Sequence, residues 1–122
     1  MTIRRFEDLD VWRRAKDLAI ELYQITGTGR FAEDFGLRNQ IRRAAVSVMS
    51  NVAEGFGRYG RVEFGRFLVI ARGSAAEVRS QLILAHELGY LGNEDFARLA
   101  SLTEEVSRLL LGLHASLRRQ DE

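Results

Sequence analysis

Apolar residues recur at steps of three and four through nearly the whole chain, and no stretch of four or more residues alternates as a half-buried strand would. That pattern restricts the fold to an all-α architecture. The first helix is predicted from Asp8 or Asp10 to about Thr26, with Leu9, Trp12, Ala19 and Tyr23 as an inward stripe and Gly27-Thr28-Gly29 as its stop. The second runs from about Asp34 to Glu54 on Leu37, Ile41, Ala44, Val48 and Val52, and is broken by Gly55, Gly57 and Gly60. The third, about Val62 to Leu88, buries Phe64, Phe67, Leu68, Ala71, Ala75, Val78, Leu82 and Ala85 and ends at Gly89. The fourth opens at Asn93 with Glu94 and Asp95 in its first turn, and carries Phe96, Leu99, Thr103, Val106, Leu110, Leu113 and Leu117 along one seam.

Four such helices with short connections predict an up-down-up-down antiparallel four-helix bundle, one domain over residues 1–122. Leu102, Leu109 and Leu111 beside the seam of the fourth helix, and Phe67 and Ile70 on the third, widen the apolar face beyond one bundle core. Self-association is the expected consequence. Gly65 and Gly73 inside the third helix predict close packing against that face.

At 122 residues the chain is long enough to fold without staples, and it has no cysteine, so disulfides, thiolate metal sites and a cysteine nucleophile are excluded. The N-terminal segment lacks the apolar region of a signal peptide, and the apolar run Phe67 to Ala71 is far below the ~18 residues of a membrane span. A cytoplasmic location without membrane contact is expected. No Glu-x-x-His of a di-iron bundle occurs. With the last hairpin turning near Leu91, His114 falls beside residue 68, about 27 Å from His86, which argues against a shared metal. No cofactor and no catalytic constellation are predicted.

Gly55-Phe56-Gly57-Arg58-Tyr59-Gly60 matches G-x-G-x-x-G, but a helix precedes it where a dinucleotide fold needs a strand. Two readings remain: an inter-helix loop, or an anion pocket of free amides beside Arg58 and Arg61. Ser47, Asn51 and Glu54 share an edge of the second helix, and Ser74, Glu77 and Gln81 an edge of the third. With the hairpin turning near Arg58, facing positions set Asn51 near Arg66, Glu77 near Gln40 and Ser74 near Arg43. A structural polar network of Ser47, Asn51, Glu54, Arg66, Ser74 and Glu77 is expected, because buried polar groups need partners. Glu54 is assigned to an ion pair with Arg58, Arg61 or Arg66, whose loss would cost about 1–3 kcal/mol if partly buried.

Net charge is only +1, yet it is unevenly spread. Residues 38–79 carry eight arginines against three glutamates, whereas residues 81–122 carry four arginines against seven acids. Arg38, Arg42, Arg43, Arg58 and Arg61, with Arg66 and Arg72, could form one basic strip, with Phe56 and Tyr59 as stacking surfaces. Clustered arginines beside aromatics are a general nucleic-acid footprint.

The segments Phe6-x-x-Leu9-x-Val11-Trp12, Phe35-Gly36-Leu37-x-x-Gln40-Ile41-Arg42-Arg43-Ala44-Ala45-Val46-Ser47, Asn51-Val52-Ala53-Glu54-Gly55, Phe64-x-x-Phe67-Leu68, Ala71-Arg72-Gly73-Ser74-x-x-Glu77 and Leu88-Gly89-Tyr90 cover most of the chain. Together they resemble the four-helix-bundle proteins encoded in 23S ribosomal RNA intervening sequences, and also the accessory variability determinant of diversity-generating retroelements. The resemblance implies a barrel-like homopentamer. For the retroelement type it further implies binding of nucleic acid, RNA or DNA, and of a reverse transcriptase or other ribonucleoprotein component through a basic surface. The reading that follows is a non-enzymatic oligomer presenting Arg38, Arg42, Arg43, Arg58 and Arg61 to RNA. The alternative is a structural or protein-binding oligomer whose arginines pair with Glu54, Glu63 and Glu77.

Overall fold

A computed structural model describes residues 3–58 and 60–119; Tyr59, named above as a stacking surface, lies outside the described residues. A single 3-10 turn, Phe6–Asp8, leads into α1 (Asp10–Ile25), α2 (Gly29–Glu33), α3 (Phe35–Phe56), α4 (Arg61–Glu87) and α5 (Asn93–Arg119). No strand occurs among the described residues. The four long helices form an antiparallel bundle in which α1 packs on α3 and α5, and α4 packs on the same two from the opposite corner. The core is aliphatic: Leu18, Leu22, Ile41, Val48, Val52, Leu68, Val78, Leu82, Leu99, Val106 and Leu110 are fully buried.

The short α2 is absent from the periodicity because five residues are too few to show it. It exists to place Phe31, which is fully buried beneath Tyr90 at 5.5 Å between ring centroids, while the Arg30 guanidinium lies over the outer side of that ring. Asp34 then caps α3, accepting from the Leu37 N–H at 3.0 Å and from the Tyr90 hydroxyl at 3.0 Å. One carboxylate thereby ties the start of α3 to the α4–α5 connection.

Both hairpin registers differ from the sequence expectation by about one turn. Ser47 meets Ser74 and Gln40 meets Gln81, so Ser74 and Glu77 lie about one turn off from Arg43 and Gln40, in a groove that all four line. The two pairings centre the reversal at Gly60 and Arg61 instead of Arg58: Gly57 keeps right-handed dihedrals, and the positive φ, 95°, falls at Gly60 just before α4. At the other end the reversal is centred on Gly89 (φ 78°) and Leu91 is buried, which brings His114 beside Gly65 instead of residue 68.

The glycines divide accordingly. Gly55 does not break α3; it lies inside the helix, where a Cβ would stand 2.6 Å from Phe67 Cβ, so its absence lets α3 and α4 approach. Gly65 accommodates the His114 ring, whereas Gly73 faces open space and packs against nothing in its own chain. Leu102, expected outside the seam, is buried within the bundle, and Tyr23, expected inside, is 45% exposed beneath Arg42.

Candidate nucleic-acid interface

The arginines differ chiefly in whether their own chain has already satisfied them. Arg42 donates from Nε to Thr26 Oγ1 at 2.7 Å and from a terminal nitrogen to the Tyr23 carbonyl at 3.1 Å, with its guanidinium 4.4 Å from the Tyr23 ring centroid. Thr26 in turn donates to the Leu22 carbonyl at 2.6 Å. Carbonyls at a helix C-terminus have no intrahelical donor, and Arg42 supplies one. Arg38 donates to the Ala32 carbonyl at 3.0 Å and lies over the Phe35 ring, holding the end of α2. These two side chains are fastenings between helices.

Arg58 pairs with Glu54 at 2.8 Å across more than half-exposed surface and lies over the Phe67 ring; Arg66 pairs with Glu63 at 3.2 Å. On α1 and α5, Arg14 reaches both Glu105 and Asp17, and Arg98 reaches both Glu21 and Asp95. The carboxylates raise both guanidinium pKa values, against the opposing effect of desolvation.

Arg43, Arg72, Arg79 and Arg118 are exposed and make no hydrogen bond or ion pair among the described residues. Arg43 lines a polar groove between α3 and α4 with Gln40, Glu77 and Gln81. The other three converge on the seam between α4 and α5. There a groove of about 470 Å³ is lined by Val69, Arg72, Gly73, Ala76, Arg79 and Ser107, and Val69 joins it to a second hollow of about 270 Å³ bounded by Arg61, Arg66, His114 and Arg118. Glu104, the acid on the first groove, faces Arg108 at 3.5 Å.

The five arginines predicted from sequence therefore do not form one strip. Arg38 and Arg42 turn toward α1 and α2, Arg43 toward α4, while Arg58 and Arg61 lie at the far end of the bundle, about 24 Å or more from Arg42 along the helix. Arg79 and Arg118 escaped the sequence reading because one lies late on α4 and the other on the acidic C-terminal segment. Only the α4–α5 register makes neighbours of Arg61 and Arg118. The polar network is likewise divided. Ser47, Asn51 and Ser74 are joined, with Ser47 Oγ 2.8 Å from Ser74 Oγ and the Asn51 amide donating to both Ser47 oxygens. Glu54 and Arg66 lie apart in their own exposed pairs, while Glu77 lines the same α3–α4 groove as Ser47 and Ser74.

Phe56 and Phe64 pack edge to face, 5.9 Å apart, and with Arg58 and Arg61 they line a shallow pocket at the start of α4. Among the described residues no three His, Asp or Glu side chains could hold a metal, and no helix is long and apolar enough to cross a membrane.

Taken together, these features define an all-α bundle with a cationic groove along one helix seam. Residues 7–112 match the 23S rRNA-intervening sequence protein family, and the chain belongs to that family. The fold is similar to the crystal structure of a protein of unknown function from the S23 ribosomal protein family of Bacteroides thetaiotaomicron, with a TM-score of 0.79 at 22% identity, covering 85% of this chain and 97% of that one. No curated protein matches the chain.

Proposed function

We propose that the protein is a non-catalytic, self-assembling bundle that binds RNA or a ribonucleoprotein through arginines its own chain leaves unneutralised. The observation that carries this reading is the partition of the guanidiniums: those beside α1 are paired or bonded to carbonyls, whereas Arg72, Arg79 and Arg118 are unpaired among the described residues and line two hollows that meet at Val69 on one seam. Unpaired guanidiniums in a row can exchange counterions for phosphates, which makes binding steeply salt-dependent. Arg43, Arg58 and Arg61 are secondary contacts in this reading, and Arg38 and Arg42 are structural.

Self-assembly draws on the outer face of α4. Ile70, Ile83, Leu84 and Leu88 are exposed along it, outside the lining of the cationic groove, although the opposite face of the same helix is buried in the core. A helix apolar on both faces belongs in an interior. A closed ring, five subunits by the resemblance noted above, would cover this face and repeat the cationic groove around the assembly. The competing structural oligomer draws on the Glu54–Arg58 and Glu63–Arg66 pairs, which engage one of the five predicted contact arginines, Arg58, and its neighbour Arg66.

Fluorescence anisotropy with a labelled structured RNA between 50 and 200 mM salt tests the binding. Affinity should fall steeply over that range, and negligible binding at 50 mM would refute it. Light scattering at micromolar concentration tests the ring, which a monomer mass would remove.

A further inference from the structure

We infer that the α4–α5 groove seats the sugar-phosphate backbone of a double helix, without base stacking and therefore without sequence preference. The inference rests on the nucleic-acid reading above and specifies its ligand. Arg79, Arg72 and Arg118 occupy successive levels of one straight helix pair, Arg118 standing level with Arg61 because Gly65 meets His114. From Arg79 to the level of Arg61 is about 27 Å at 1.5 Å per residue.

A rigid row of cations suits a ligand whose phosphates are themselves held in a regular line. Proteins that hold single strands add aromatic platforms on which unstacked bases lie. The lining here is of another kind: Val62, Val69 and Leu117 with Gly73 and Ala76, one imidazole, His114, packed against Gly65, and no Phe, Tyr or Trp among the described residues. The nearest rings, Phe56 and Phe64, are half-buried and packed edge to face against each other past the end of the row, in a pocket that adjoins the second hollow at Arg61 and Val62. Guanidiniums in a row over a small-residue floor can reach phosphate oxygens, and contacts to phosphate carry no sequence information.

The experiment titrates the full chain with a 20-base-pair RNA duplex, the DNA duplex of the same sequence, and each single strand, at several salt concentrations. Duplex should bind at least about tenfold more tightly than either strand, scrambled duplexes should bind equally, and three phosphate contacts per subunit correspond to a log–log salt slope of about −2.7. Arg72→Glu/Arg79→Glu should abolish duplex binding with an unchanged melting temperature. Equal or tighter binding of single strands, or duplex binding that survives the double variant, overturns this inference and leaves the general reading standing. Absence of binding to every probe overturns both. Tighter binding to RNA than to DNA duplex would identify the A-form backbone as the ligand, and equal binding the phosphate row common to both; either supports the inference.

Discussion

The seam between α1 and α3 and the seam between α4 and α5 are built from the same residue types but use arginine in opposite ways. Beside α1, Arg42 closes the carbonyls of Leu22, through Thr26, and Tyr23, and Arg14 crosses to Glu105 on α5. Along α4–α5, Arg72, Arg79 and Arg118 have no partner among the described residues, and the floor beside Arg72 and Arg79 is Gly73, Ala76 and Ser107. An arginine with a local acceptor within reach becomes part of the fold, and one set over small residues remains available to a ligand. Helix ends make the difference on the first seam, because α1 stops opposite Arg42 and leaves carbonyls exposed there, whereas α4 and α5 run alongside each other without a break beside Arg72 and Arg79.

Charge reversal at Arg72 and Arg79 separates the two seams most sharply. The double variant should lose more than tenfold in RNA affinity while its urea midpoint stays within about 0.5 kcal/mol of wild type, as expected for exposed positions. Arg42→Ala should do the reverse, costing about 1–2 kcal/mol of stability because Thr26 and the Tyr23 carbonyl lose a charged donor, with RNA affinity unchanged. A fall in affinity without a fall in stability would return Arg42 to the binding surface. Within the α3–α4 interface, Gly55→Ala should cost about 1–3 kcal/mol despite the better helix propensity of alanine, since Phe67 must shift to admit a Cβ; an unchanged midpoint would mean that the two helices separate freely there.

Acid should act on caps and pairs outside the lining of the α4–α5 groove. The Leu37 N–H first, and the Tyr90 hydroxyl second, hold the Asp34 carboxyl below the usual carboxylate range, and the Arg14 hydrogen bond does the same for Glu105. Depressed carboxylates contribute fully above their unfolded values of about 4 and cease to contribute as pH falls through the folded ones. The stability gap between wild type and Asp34→Ala should therefore be present at pH 7 and narrow at pH 3. A gap of constant size would show that Asp34 acts without its charge. The smallest effect belongs to Glu54→Ala. The expected loss of 1–3 kcal/mol assumed burial, but the Glu54–Arg58 pair is more than half exposed, so about 0.5 kcal/mol or less should be measured in a urea titration.

Much of the architecture follows from local pattern. Helical periodicity names the four long helices, and Asn93, Gly89 and Gly60 mark their ends, because propensity and capping act over a few residues. The family resemblance rests on the same local segments, which is why it is legible in one sequence. The apolar outer face of α4 is also written there, in Ile70, Leu84 and Leu88.

Tertiary structure alone decided the register, and with it every question of which side chains meet. Centring the reversal at Gly60 and Arg61 instead of Arg58 moved Ser74 from Arg43 to Ser47. The placement of the last turn at Gly89 brought Arg118 level with Arg61 and joined the two hollows into a single groove. It also separated an arginine that fastens a helix from one that does not: Arg42 and Arg43 are adjacent in the chain, yet one donates to two oxygens at the end of α1 and the other has no partner among the described residues. A guanidinium's role depends on acceptors that may lie 16 or 19 residues away, as Thr26 and Tyr23 do from Arg42. Such distances are set by packing, which no local pattern encodes.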